Sequence, residues 1–130
     1  MNAELPRVSL LIDGAFVESR TSTWKDIVNP ATQETLAEVA RGGADEVNAA
    51  VAAAKAAFET WSATSVEERR RYLQLIADKL ASKKEEIAAL IAAEVGMPLA
   101  LATAVQAGMP AMVMGSYAQL LGEFPFEETI

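Results

Sequence analysis

The spacing of apolar residues changes at Gly42-Gly43, and this change constrains the fold more than any other feature of the chain. Before it, short apolar runs alternate with turn residues, a pattern typical of β-strands. From Asp45 onward, apolar residues recur every three or four positions, which predicts an amphipathic helix with acidic residues in its first turn. The sequence therefore predicts β-hairpins over residues 10–40 and four or five α-helices over residues 44–122.

Two hairpins are predicted before the glycine pair. Asp13-Gly14 lies between two apolar runs, and Asp-Gly is the typical two-residue type I′ turn. A second hairpin pairs Trp24 to Val28 with Thr35 to Ala40 around a turn at Asn29-Pro30. Strands this short do not form a stable sheet alone, so we expect them to pack on other elements.

Two Ser-x-x-Glu sequences, at Ser65 and Ser82, indicate helix N-termini. They predict two consecutive helices with a bend near Ser82, and a single helix over residues 66–95 is the alternative. The second helix is predicted to end at Gly96. The last helical region, residues 99–121, is expected to break at residues 108–110, because proline in a helix interior costs about 3 kcal/mol.

Composition excludes several kinds of functional site. The chain has 130 residues and contains neither cysteine nor histidine, so a thiol nucleophile, a Cys/His zinc site and a Ser-His-Asp triad cannot be built from it. A net charge of −7 argues against nucleic acid as a partner. The first ten residues lack the cationic flank and apolar core of a signal peptide, so we expect a cytoplasmic location.

One stretch tests that expectation. Residues 95–122 contain 28 consecutive uncharged side chains, more than the roughly 20 needed to span a bilayer. Two prolines and four glycines divide the stretch into short apolar pieces, which favours a helix buried in a larger protein and no membrane partner. Four methionines within it suit adaptable packing or a substrate-facing wall, and they lie at Met97, Met109, Met112 and Met114.

Five sequence blocks follow one another in a recognisable order: LLIDGAFVE, IVNPATQETLAEVA, DEVNAAVAAAKAAFETW, RRYLQLIADKL and EVGMP. In order and spacing they resemble the amino-terminal part of the NAD(P)-dependent aldehyde dehydrogenase superfamily, over about Leu10 to Leu121. Two positions depart from the family pattern. Gln33 stands where the turn usually has glycine, and Met97 stands where lysine usually precedes Pro98.

The resemblance implies an α/β fold in which residues 1–130 are the N-terminal part of a dehydrogenase and its helices pack on the cofactor-binding domain. A complete member oxidises an aldehyde to a carboxylic acid with NAD or NADP, using a cysteine nucleophile and a glutamate base. The family pattern assigns no catalytic or cofactor-binding residue to this chain. The chain alone is therefore expected to be inactive and to bind no cofactor, and its expected partners are the remainder of the enzyme, an aldehyde and, once complete, identical subunits.

The resemblance also implies two lesser sites. In some members a monovalent cation is held by main-chain carbonyls and an acidic residue at the positions of Ile27, Val28 and Glu94. Met109 falls where the family's helix lines the substrate tunnel. The alternative to a dehydrogenase segment is a stand-alone Ala-rich helical interaction module that uses the uncharged face of residues 95–122; cooperative unfolding of the isolated chain as a defined species would distinguish such a module.

Overall fold

The computed structural model describes residues 5–21 and 23–126. The chain divides into two compact units. The first runs from the described N-terminus to Ala63 and includes Ala93–Gly96, whereas the second comprises Thr64–Ala92 and the described residues from Met97 onward. Strands followed by helices agree with the predicted mixed architecture.

The first unit contains two small sheets. Its strands are β1 (Arg7–Val8), β2 (Leu10–Ile12), β3 (Ala15–Val17), β4 (Trp24–Val28) and β5 (Thr35–Ala40). Strands β2 and β3 form an antiparallel pair. The other sheet has the order β1-β5-β4, with β4 antiparallel and β1 parallel to β5.

Both predicted hairpins are confirmed. Ile12 pairs with Ala15, and the turn residues Asp13 and Gly14 have φ values of 52° and 74°, as a type I′ turn requires. The bounds of β4 and β5 agree with the prediction. Strand β1 was not predicted, because two residues carry no periodicity that a sequence pattern can detect.

The helices are α1 (Ala44–Ser62), α2 (Val66–Ser82), α3 (Lys84–Val95), α4 (Leu99–Leu101) and α5 (Gly108–Glu123), with a π-helix over Ala102–Gln106 between the last two. The break between α2 and α3 lies at Lys83, so the prediction of two helices is confirmed. The reason for the break differs from the prediction. Ser82 donates its hydroxyl to the carbonyl of Lys79 at 2.8 Å, within its own helix, and therefore does not cap α3 as the sequence suggested.

The predicted break at residues 108–110 is wrong in position. Pro110 lies in the first turn of α5, where backbone N–H groups have no intrahelical acceptor, so proline costs little there. The irregularity lies upstream instead, where the Ala107 N–H donates to the Ala102 carbonyl at 2.9 Å, five residues back. The helical region is thus interrupted by a π-bulge rather than by a proline kink.

Among the described residues, the buried apolar side chains are all alanines, and they are Ala77, Ala88, Ala102, Ala107 and Ala118. Three of them, Ala88, Ala102 and Ala107, form one cluster in the second unit, with Ile87, Ile91 and Met97 packed partly buried against it. Within the described residues, no apolar side chain larger than that of alanine is fully buried. The amphipathic stripes read from the sequence therefore remain substantially exposed in this chain.

Candidate functional site

The Asn29-Pro30 turn between β4 and β5 is held by side-chain and main-chain hydrogen bonds. The Asn29 Oδ1 accepts from the N–H groups of Ala31 and Thr32, at 2.9 and 3.4 Å. The Asn29 main chain donates to the Glu34 carbonyl at 2.9 Å and accepts from the Gln33 N–H at 2.8 Å. These bonds within residues 29–34 give the turn a defined geometry.

Gln33 occupies the position where the family pattern has glycine. Its φ of 63° lies in the left-handed region, which is unfavourable for a residue with a Cβ atom. The Gln33 side chain offsets part of this cost, since Nε2 donates to the Pro30 carbonyl at 2.9 Å.

Ile27 and Val28, which were predicted to offer carbonyl oxygens, lie at the end of β4. Strand β4 is at the edge of its sheet, and the pairing register with β5 shifts between these two residues. Because Asn29 directs its N–H and carbonyl toward the β5 side, the alternation of an antiparallel ladder directs those of Val28 toward the open edge. Because β4 is an edge strand, the Val28 carbonyl oxygen is available outside the ladder, whereas the extra residue at the register shift, Leu36, lies on β5.

Glu94 lies in the last turn of α3, in the same compact unit as Ile27 and Val28. Its side chain is exposed. The helix ends at Val95, and a Cβ atom built on the next residue, Gly96, would be 2.9 Å from Cγ of Pro30. The segment that carries the predicted carboxylate thus meets the turn that follows the predicted carbonyls.

These donors have the chemistry of a hard-cation site. Carbonyl and carboxylate oxygens are the ligands that such cations prefer, and the negative end of the α3 dipole adds to the local negative potential. Within the described ranges, no group of three or more His, Cys, Asp or Glu side chains is placed to hold a metal ion. Carbonyl oxygens with a single carboxylate suit hard alkali or alkaline-earth cations rather than softer transition metals.

Met109, predicted to line the substrate tunnel, is the second residue of α5 and is 48% exposed. Residues Leu99–Glu123 form one helical stretch that, by length and composition alone, could cross a membrane. Of the 18 most apolar consecutive residues in this stretch, 11% are buried. A core helix of a soluble protein meets the same criteria.

Sequence reasoning did not identify the role of Glu46. This buried side chain accepts hydrogen bonds from the main-chain N–H groups of Arg20, at 2.8 Å, and Gly43, at 2.6 Å. These bonds, that of Arg20 foremost, hold the pKa of the Glu46 carboxyl below its usual value. The sequence showed that the first turn of α1 is acidic. It did not show that Glu46 accepts a hydrogen bond from the Arg20 N–H, because Arg20 lies in a distant segment.

The chain is similar in sequence to a known protein family and to its curated members. A model of the aldehyde dehydrogenase family matches residues 16–129. The acylating, mitochondrial methylmalonate-semialdehyde/malonate-semialdehyde dehydrogenase of Rattus norvegicus is 46% identical over 103 residues, which cover 76% of this chain. The malonate-semialdehyde dehydrogenase of Bacillus velezensis is 40% identical over 94 residues, or 72% of this chain. The chain spans 18% and 19% of the lengths of these two relatives.

Solved structures agree with the family match. A mutant of aldehyde dehydrogenase C from Pseudomonas syringae, in complex with NAD+ and octanal, superposes with a TM-score of 0.92 at 36% identity, covering 95% of this chain and 25% of the other. An NAD-dependent aldehyde dehydrogenase from Sinorhizobium meliloti gives a TM-score of 0.84 at 32% identity, covering 90% of this chain and 24% of the other. The strands and helices described above thus match a quarter of each larger structure.

Proposed function

The chain belongs to the aldehyde dehydrogenase family, and we propose that it supplies the N-terminal part of an enzyme that oxidises aldehydes to carboxylic acids with NAD(P)+. Its own contribution is structural: it covers the cofactor-binding domain and forms part of the substrate tunnel wall. A chain without cysteine has no thiol to attack the aldehyde carbonyl. The 130 residues alone therefore form no NAD(P)H from an aldehyde.

The exposure of large apolar side chains carries this proposal. On α1, Val47, Val51 and Phe58 lie on one face and are 58%, 62% and 66% exposed, and we call these three residues the α1 apolar face. Contiguous exposed apolar surface of this kind marks a site of interaction with other protein. We assign its partner as the cysteine-bearing remainder of an aldehyde dehydrogenase, since the family match and the TM-scores concern such chains.

Co-expression tests the assignment. The 130-residue chain is produced with a second polypeptide that carries the remaining part of a relative, and aldehyde-dependent NAD(P)H formation is measured for each component and for the mixture. We expect activity only in the mixture. Val51→Asp should abolish most of it, because the carboxylate would have to be desolvated at the contact. Ala52→Asp is the matched control, since it adds the same side chain at the next position, on another face of α1.

Two results would contradict the proposal. NAD(P)H formation by the chain alone would show that chemistry resides in these 130 residues. Cooperative unfolding of the chain as a defined monomer or oligomer, with no association with the second polypeptide, would instead support the alternative of an independent module that uses residues 95–122.

We also propose that Ile27, Val28 and Glu94 bind a monovalent cation. Support comes from the Val28 carbonyl oxygen at the open edge of β4, from the carboxylate in the last turn of α3, and from the approach of Gly96 to Pro30. Such a cation would stabilise the junction of these segments and take no part in the chemistry of oxidation. Titration with potassium chloride, against choline chloride at equal ionic strength, separates specific binding from screening.

A further inference from the structure

The end of α3 and the Asn29-Pro30 turn meet at a contact that only glycine permits. Gly96 has a φ of 71°, in the left-handed region that residues other than glycine adopt only at a cost in free energy. A Cβ atom at this position would also lie 2.9 Å from Cγ and 3.8 Å from Cβ of Pro30. The first of these distances is shorter than real Cβ contacts, so a side chain at Gly96 would displace one of the two segments.

The contact is close in sequence to both groups of proposed cation ligands. Val28 precedes Pro30 by two residues, and Glu94 precedes Gly96 by two residues. The turn on one side is held by the hydrogen bonds of Asn29, and the other side is the end of a helix, so neither side adjusts freely. A displacement at the contact therefore changes the position of Glu94 relative to the Ile27 and Val28 carbonyls.

We propose that Gly96 is a positioning residue for the cation site: its close approach to Pro30 places the Glu94 carboxylate at the β4 carbonyls. This inference rests on the proposed cation site and adds a cause for its formation. The Gly96 backbone contributes no ligand. It acts by the absence of a side chain, which allows the two ligand-bearing segments to come together.

A double-mutant cycle between Gly96→Ala and Pro30→Ala tests the contact without reference to any cation. The measured quantity is the opening equilibrium constant of the α3 C-terminal amides, obtained from hydrogen exchange of the 130-residue chain. Gly96→Ala should raise this constant on the order of 5- to 30-fold, as expected for overpacking. In the Pro30→Ala background the effect should be smaller, because Cγ is gone and only the backbone cost remains. Equal effects in both backgrounds would overturn the inference.

Gly14→Ala is the matched control for backbone cost. Gly14 also has a positive φ, of 74°, but a Cβ atom there would have no neighbour within 4 Å. Its substitution should increase exchange in the β2–β3 hairpin and leave the amides of α3 unchanged.

The effect on the cation is read from the carbonyl ¹³C chemical shifts of Ile27 and Val28 during a titration with potassium chloride. A saturable shift beyond that in choline chloride is expected for the wild-type chain and for Gly14→Ala. It should be lost in Glu94→Gln and in Gly96→Ala. No shift in the wild-type chain would overturn the cation site itself, whereas a shift that persists in Gly96→Ala would overturn only the positioning role.

Discussion

Glu46 accepts a hydrogen bond from the main-chain N–H of Arg20, with 2.8 Å between Oε1 and N. Its other oxygen accepts from the Gly43 N–H at 2.6 Å, so one carboxylate connects the segment after β3 to the start of α1. The residue is 7% exposed. Around it, Thr21 shares hydroxyl hydrogen bonds of 2.8 Å with Ser19 and Thr23, which continues the polar connection along this segment.

Glu46→Gln should destabilise the first unit in a pH-dependent manner. Because the folded-state pKa of the Glu46 carboxyl lies below its usual value, ionised Glu46 stabilises the fold above the unfolded-state pKa. This contribution is lost as the pH falls through the lower, folded-state pKa. Urea unfolding at pH 7, 5 and 3 should therefore show a difference between wild type and Glu46→Gln that is largest at the two higher pH values and shrinks at the lowest.

Glu59→Gln is the control on the same helix, since the Glu59 side chain makes no hydrogen bond or ion pair with the part of the chain that the structure describes. It should leave the urea midpoint unchanged at all three pH values. A pH-independent effect of Glu46→Gln would show that shape, and not charge, accounts for the role of this residue.

Ser65 and Ser82 should respond differently to alanine substitution, although both begin a Ser-x-x-Glu sequence. The Ser65 Oγ accepts from the Glu68 N–H at 3.1 Å and caps α2, so Ser65→Ala should cost about 1 kcal/mol of unfolding free energy. Ser82 bonds within its own helix, so Ser82→Ala should cost less than about 0.5 kcal/mol. Helix content and urea midpoints measure both, and equal costs would contradict the assignment of the caps.

Replacement of Gln33 separates backbone conformation from side-chain bonding. Gln33→Gly and Gln33→Ala both remove the hydrogen bond to Pro30, but only glycine relieves the cost of a φ of 63°. The glycine variant should therefore be more stable than the alanine variant by about 1 kcal/mol. Thermal unfolding of the two variants side by side measures this difference, and an alanine variant at least as stable would rule out the left-handed conformation.

Met109→Ala should weaken aldehyde binding in the assembled enzyme. If the exposed thioether of Met109 lines the tunnel, its loss should raise KM for an apolar aldehyde about tenfold, with a smaller change in kcat. The enzyme reconstituted by co-expression provides the assay. Gln119→Ala, farther along α5, serves as the control, and an unchanged KM in Met109→Ala would remove this residue from the tunnel wall.

The elements that sequence reasoning located correctly are those encoded by neighbouring residues. Asp13-Gly14 determines its hairpin, and Ser65 caps the helix that follows it, because each turn or cap is decided within a few positions. Strand β1 and the bond between Arg20 and Glu46 join distant segments and left no local pattern.

The candidate cation site likewise combines features that can be predicted from neighbouring residues with contacts between distant segments that cannot. The residue types at Ile27, Val28 and Glu94 came from family resemblance, whereas the close approach of Gly96 to Pro30 was not predicted from the sequence. A glycine that ends a helix is predictable from sequence, but the segment it will touch is not. Periodicity likewise identified the apolar stripe of α1 without showing that this chain leaves much of it uncovered.

The π-helix at Ala102–Gln106 has a consequence for insertions and deletions. Each residue of an α-helix turns the chain by about 100°, and a π-bulge corresponds to one residue added to a regular helix. Removing one residue from this segment would restore continuous α-helical bonding and would leave the side chains downstream, Met109 included, on nearly the same face, because the wide turn absorbs the extra residue. The π-helix therefore accommodates one additional residue without turning the methionines of α5 to another face, whereas the same insertion into the regular part of α5 would turn every side chain after it by about 100°.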